Sequence, residues 1–166
     1  MPADPLMLCF DGSEDAKHMI AEAGDLFPGG YALVLTVWQP ISGLASVTWS
    51  GATVMPNFTE LDHLASEDGQ GRAEEGVALA RESGLEAEPL AVEADGPIWE
   101  TIIETAERRQ AAIVVMGSRG LTGLRSMLLG SVSSAVVHHA RRPILVIHRN
   151  SVDSTSHQLH ALDRSA

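Results

Sequence analysis

Short unbroken apolar runs alternate along this chain with longer stretches whose apolar positions recur at helical spacing. The run "LMLCF" (6–10) stops at Asp11-Gly12-Ser13, as a strand buried on both faces does where it enters a turn. The following "SEDAKHMIAEAGDLF" sets Ala16, Met19, Ile20, Ala23 and Phe27 at helical spacing, with Ser13 as N-cap and acids in the first turn. A second strand, "YALVLTVW" (31–38), is entered through Pro28-Gly29-Gly30. Residues 39–58 hold turn formers without a clear period, a stretch long for a plain connection and typical of lids, binding elements or surface insertions. A second helix is expected over 59–83, with Leu61, Leu64, Val77 and Leu79 among its apolar positions and Gly69 and Gly71 weakening its continuity.

After Gly84, "EAEPLAVEA" is a weaker third strand, and "GPIWETIIETAERR" a third helix with Pro97 in its first turn and Ile98, Ile102, Ile103 and Ala106 turned inward. "AAIVVM" is the fourth strand, "VSSAVVHHA" the last helix and "PILVIH" the fifth strand. Five strands alternating with four helices, every strand near-continuously apolar, predict an α/β fold: an open parallel sheet with helices on both faces and right-handed crossovers. Residues 1–149 form one domain in this reading, and the patternless, polar 150–166 a tail. In such sheets ligands bind beyond the carboxyl ends of the strands, at the point where the strand order reverses. Motifs in those loops therefore carry most of the functional weight.

One such motif follows the fourth strand. "MGSRGLTGLRSMLLGSVSSAVVHHA" (116–140) has Gly117 and Gly120 just past the strand and Gly130-Ser131 opening the last helix. Glycine lets a ligand sit against backbone N–H groups. Ser131 is the expected cap, leaving the N–H groups of residues 132–134 and the helix dipole to favour an anion, with Ser133 and Ser134 as hydroxyl donors. A purely structural loop is the competing reading. The only lysine is Lys17, so no P-loop exists, and the first strand turns through "DGSED" instead of a dinucleotide fingerprint.

Charge narrows the classes. The chain of 166 residues has net charge -11, with 18 acids and 3 bases in residues 1–100 against 4 acids and 8 bases in 101–166. An acidic surface argues against non-specific nucleic-acid binding, which depends on phosphate contacts. The basic excess travels with the glycine-rich run, which suits a local anion site. The single cysteine, Cys9, lies in an apolar run and cannot pair within the chain, which reads as a small buried hydrophobe in a reducing compartment. With no signal-peptide pattern and no apolar run near the ~20 residues of a membrane span, a cytoplasmic protein away from membranes is expected.

The segment "GSRGLTGLRSMLLGS" reads as G-x-x-G-x(9)-G-[ST] and resembles the ATP-binding signature of the universal stress protein family. The likeness extends to "DGSEDA", "VLTVWQP" and "HHARRPILVI", and so to most of the chain. It implies strand order 3-2-1-4-5, a Rossmann-like adenine-nucleotide site, and a role for Asp11 beside the adenosine, with Gly12 and Ser13 in the same turn. It further implies that the backbone of Val37 reads adenine. Met116, Gly117, Arg119 and Gly120 would then lie at ribose and phosphates, and Gly130, Ser131, Val132 and Ser133 at the phosphate-binding helix start. ATP is the implied ligand, either alone or with Mg2+ near Asp11, and AMP or another adenosine derivative is the alternative. A homodimer joined along Pro143 to His148 is the implied assembly.

Little points to rapid chemistry. His138 and His139 are adjacent on a helix and cannot form an i, i+4 metal face, so no metal ligand set is assigned. No Ser/His/Asp, Cys/His or paired-carboxylate arrangement stands out. The expectation is an ATP-binding regulatory protein of the stress-response type, against a slow ATP hydrolase, a self-phosphorylating phosphotransferase, or an interaction module whose loop stays empty. Arg119 and Arg125 are expected either to meet phosphate oxygens or to be solvated loop arginines.

Overall fold

The computed structural model describes residues 4–41, 57–121 and 129–149. Most of the expected 39–58 connection, the centre of the glycine-rich run and the expected tail lie outside them. In chain order the elements are β1 (Leu6–Cys9), α1 (Glu14–Leu26), β2 (Tyr31–Trp38), α2 (Phe58–Glu82), β3 (Glu86–Glu93), α3 (Ile98–Arg108), β4 (Ile113–Gly117), α4 (Ser131–His139) and β5 (Ile144–Ile147). The five strands form one parallel sheet in the order β3-β2-β1-β4-β5. The expected order 3-2-1-4-5 is therefore observed.

Alternation along the strands divides the interior into two layers. Leu6, Leu8 and Val34 join Met19, Ile20 and Ala23 of α1 and Val77 and Ala80 of α2 on one face. Met7, Leu35, Val114 and Met116 join Ile102 and Ala106 of α3 and Val136 of α4 on the other. Two helices thus cover each face. Burial on both sides is why each central strand reads as a continuous apolar run instead of an alternating one.

The helix α2 departs from expectation in its inner face. Leu64 is 55% exposed, and the buried positions are Gly69, Ala73, Gly76, Val77 and Ala80. Its glycines do not break the helix, because it approaches the sheet closely along them: a Cβ on Gly69 would lie 2.9 Å from Trp38, and one on Gly76 would lie 2.6 Å from Val34. Backbone packing replaces side-chain volume there, so the packing gained offsets the ~1 kcal/mol by which a mid-helix glycine is disfavoured. At α1 the expected cap is present, with Ser13 accepting the Ala16 N–H at 3.2 Å. Pro97 stands at the N-cap of α3, one residue before the helical turn in which it was expected.

Candidate functional site

The carboxyl ends of β1, β2 and β4 meet where the strand order reverses. Phe10 N–H donates to Leu35 O at 2.8 Å, and the buried Thr36 hydroxyl donates back to Phe10 O at 2.9 Å. These bonds fix the ends of β1 and β2 side by side. Gly12 then turns the chain at a φ of +82°, and one Asp11 carboxylate oxygen accepts the Ser13 N–H at 2.9 Å. That bond leaves the other oxygen, Oδ2, directed at Gly120, whose hypothetical Cβ would lie 2.7 Å away. The glycine is needed because the carboxylate occupies the place of a side chain.

On the β4 side, Gly117 is the last strand residue, paired with Ile147, and not the first loop residue as expected. A Cβ there would stand 3.1 Å from the Asp15 carbonyl carbon, so its absence lets the first turn of α1 press against the sheet. Ser118 is fully buried and fastened on three sides. Its N–H donates to Ile147 O at 2.9 Å, its hydroxyl donates to Asp15 Oδ2 at 3.4 Å, and its carbonyl accepts the Gly130 N–H at 2.7 Å. The last bond draws the two ends of the glycine-rich run together.

That closure changes the cap of α4. Gly130, held by Ser118 in an extended conformation, is the N-cap, and Ser131 is the first helical residue. The Ser134 N–H donates to Gly130 O at 2.9 Å, so the amides preceding the helical ladder are those of Ser131, Val132 and Ser133, one residue earlier than expected. The Ser133 hydroxyl is also committed within the protein, donating to Gly117 O at 3.0 Å. Its contribution at the helix start is the backbone amide.

A cleft of about 490 Å³ opens above these ends. Asp11, Val37, Met116, Gly117, Arg119, Gly120, Gly130, Ser131, Val132 and Ser133 all line it. Gly12 and Ser13 do not: one makes the turn and the other caps α1. Arg119 is not a solvated loop arginine. Its Nε lies 3.1 Å from Asp15 Oδ2 and its Nη2 donates to Arg149 O at 3.3 Å. Arg125 lies outside the described residues.

Further residues line the cleft beside those assigned to it from the sequence. Trp38 and Gln39 extend from β2, Asp68, Gly69 and Arg72 come from α2, and Ile98 and Ile102 come from α3. Only the small-residue spacing of α2 signals that its face comes close to the sheet. Cys9, expected to be a silent core residue, also lines the cleft. A water-sized contact still reaches it, yet protein encloses it tightly enough that burial, helped by the charge of Asp11, pushes its thiol up to about 12. It is a neutral wall residue.

Among the described residues no group of three His, Cys, Asp or Glu side chains can hold a metal ion. A largely apolar cleft with amides at a helix start and a few charged side chains, Asp11, Asp68, Arg72 and Arg119, is a form that small-molecule sites take. Amides at a helix start suit an anionic group, and the apolar walls from Val37, Ile98 and Met116 suit a planar ring.

Known proteins share both the sequence and the fold. The model of the universal stress protein family matches residues 3–148. The chain is 33% identical over 142 residues to universal stress protein MJ0531 of Methanocaldococcus jannaschii, covering 82% of this chain and 77% of that protein. It is 31% identical over 133 residues to universal stress protein YxiE of Bacillus subtilis, covering 80% and 82% respectively. The solved structure of protein MJ0577 shares the fold at a TM-score of 0.71 and 22% identity, covering 91% of this chain and 99% of that one. A family protein from Arabidopsis thaliana with AMP bound aligns at a TM-score of 0.59 and 19% identity, covering 92% and 95%. A universal stress protein in complex with cAMP aligns at 0.59 and 18%, covering 89% and 98%.

Proposed function

The chain belongs to the universal stress protein family, and on that premise we propose that it binds an adenine nucleotide in this cleft and acts as a nucleotide-dependent regulatory protein. The observation that carries the reading is that Ser131, Val132 and Ser133, whose amides precede the helical ladder of α4, line an open cleft whose far wall is apolar. The phosphate lies on those amides and against Gly117 and Gly120. The adenine lies between the end of β2 at Val37 and the α3 side chains Ile98 and Ile102, and Asp11 faces the sugar. AMP and cAMP, the ligands of the two aligned complexes, support an adenosine monophosphate, and the glycine signature supports ATP.

Asp11 fits Mg2+ that arrives with ATP. One of its oxygens is used by the Ser13 amide and the other points toward Gly120, and Mg2+ is commonly held by one carboxylate together with substrate phosphates. When bound, the ion would offset phosphate charge.

Half-buried Ile144, Leu145 and Val146 on the edge strand β5 support pairing with a second copy of this chain, since an uncovered apolar edge is a hazard. Protein purified without added nucleotide, denatured and analysed by mass spectrometry tests the binding reading, together with calorimetric titration of AMP and Mg-ATP. Adenine nucleotide released in near-equal amount to protein, or saturable binding, supports it. No released nucleotide and no heat at millimolar ligand sink it. Many turnovers of labelled Mg-ATP per protein would replace the regulatory reading with an enzymatic one.

A further inference from the structure

Asp11, Asp68, Arg72 and Arg119 are the charged side chains lining the described part of the cleft. Both arginines are already held. Arg72 Nη2 lies 2.8 Å from Asp68 Oδ2 one turn away on α2, and Arg119 Nε lies 3.1 Å from Asp15 Oδ2. Asp15 is 8% exposed and binds a second cation, Arg149, whose Nε lies 3.3 Å from Oδ1. Arg72 lines the cleft, with its Cδ 4.0 Å from where a Gly12 side chain would begin. Asp11 has no cation paired with it among the described residues.

Arg149 is met in turn by Glu14 Oε2 at 3.8 Å, so among the described residues each of the two arginines lining the cleft is matched by a carboxylate, and Asp11 is left over. Among the described residues, what remains to attract an anion is the group of amides at the start of α4 and its dipole, equivalent to about half a charge. Such a device suits one phosphoryl group. A metal-free triphosphate would bring about two more negative charges against a wall whose described residues hold no unmatched cation.

Resting on the nucleotide reading above, we propose that Asp15 and Asp68 are specificity-determining residues: by neutralising Arg119 and Arg72 they set the cleft to select adenine nucleotides of low charge. Neither carboxylate needs to touch the ligand. Asp68 acts from an exposed pair, which contributes little to stability but whose field still reaches the cleft at low ionic strength. Asp15 acts from behind the loop, where it also fixes the direction of Arg119. A triphosphate enters with a divalent cation that reduces its charge.

Calorimetric titration of cAMP, AMP and ATP in chelator at low ionic strength, on the full chain and on Asp68→Asn and Asp15→Asn, tests this. The unaltered protein binds AMP more tightly than metal-free ATP, and Mg2+ narrows the gap. Each Asn variant gains about two-fold in affinity per ligand charge, so ATP gains about four-fold more than AMP, and cAMP gains least. Arg72→Gln moves the series in the opposite direction. Because Asp68 lies on the exposed side of a helix, its variant folds even where Asp15→Asn does not. Tighter binding of metal-free ATP than of AMP, or equal shifts for all three ligands, overturns the proposal while leaving nucleotide binding intact. Failure of every ligand to bind the unaltered protein overturns both.

Discussion

Gly120→Ala separates the site from the fold. The new methyl carbon would lie 2.7 Å from Asp11 Oδ2, so the carboxylate must retreat by roughly 0.7 Å to reach ordinary contact at ~3.4 Å. Its other oxygen is held by the Ser13 N–H at 2.9 Å, and the retreat stretches that bond. Losing one such bond costs about 1 kcal/mol, which for a chain of this size lowers Tm by ~2–4 °C. The effect on binding is larger. The methyl enters the cleft next to the start of α4, and the carboxylate turns out of the position that faces the ligand. A ten-fold or greater loss of AMP affinity follows, equivalent to at least ~1.4 kcal/mol. Calorimetry with AMP and thermal unfolding of the same sample check the two halves. Unchanged AMP affinity would refute the placement of Asp11 and Gly120 across one cleft, and outright unfolding would refute the claim that the contact is local.

Other outcomes follow from particular contacts. Ser133→Ala removes a buried hydroxyl donor to Gly117 O and should cost about 1–3 kcal/mol in urea unfolding, whereas an unchanged midpoint would show that the tether between β4 and α4 is idle. Cys9 keeps its proton in the folded chain up to about 12 and in the unfolded chain only to 9.0. Its contribution to stability is therefore complete below pH 9 and declines as pH rises from 9 toward 12, so Cys9→Ala should lose less stability than the parent between pH 8 and 10.5. Parallel pH profiles would contradict this. Val146→Glu places a charge on the half-buried edge strand and should yield monomers or insoluble protein by light scattering, while unchanged soluble dimers would exclude β5 as the contact.

The sheet was legible because its strands are buried on both faces, which leaves unbroken apolar runs such as "YALVLTVW" and "PILVIH" in the sequence. The floor of the cleft was legible for a related reason: Gly117, Gly120 and Gly130 mark places where backbone itself is presented. Its α2 wall was not. That helix packs through Gly69, Ala73 and Gly76, residues too small to raise a hydrophobic signal, so leucines such as Leu64 drew attention to the solvent side. The pairing of Arg119 with Asp15 was also hidden, because it joins residues 104 positions apart and depends on the contact of β4 with the first turn of α1. The one-residue shift of the α4 cap has the same origin, in the bond from Gly130 to Ser118 that no local rule contains.

The central claim is that amides at the start of α4 receive the phosphate of an adenine nucleotide. Amide NMR of the isotope-labelled chain titrated with AMP addresses it residue by residue. The largest shifts are expected at Gly120, Ser131, Val132 and Ser133, with smaller ones near Val37 and none along the outer face of α1. Shifts confined to other surfaces, or a spectrum unmoved at saturating AMP, would contradict it.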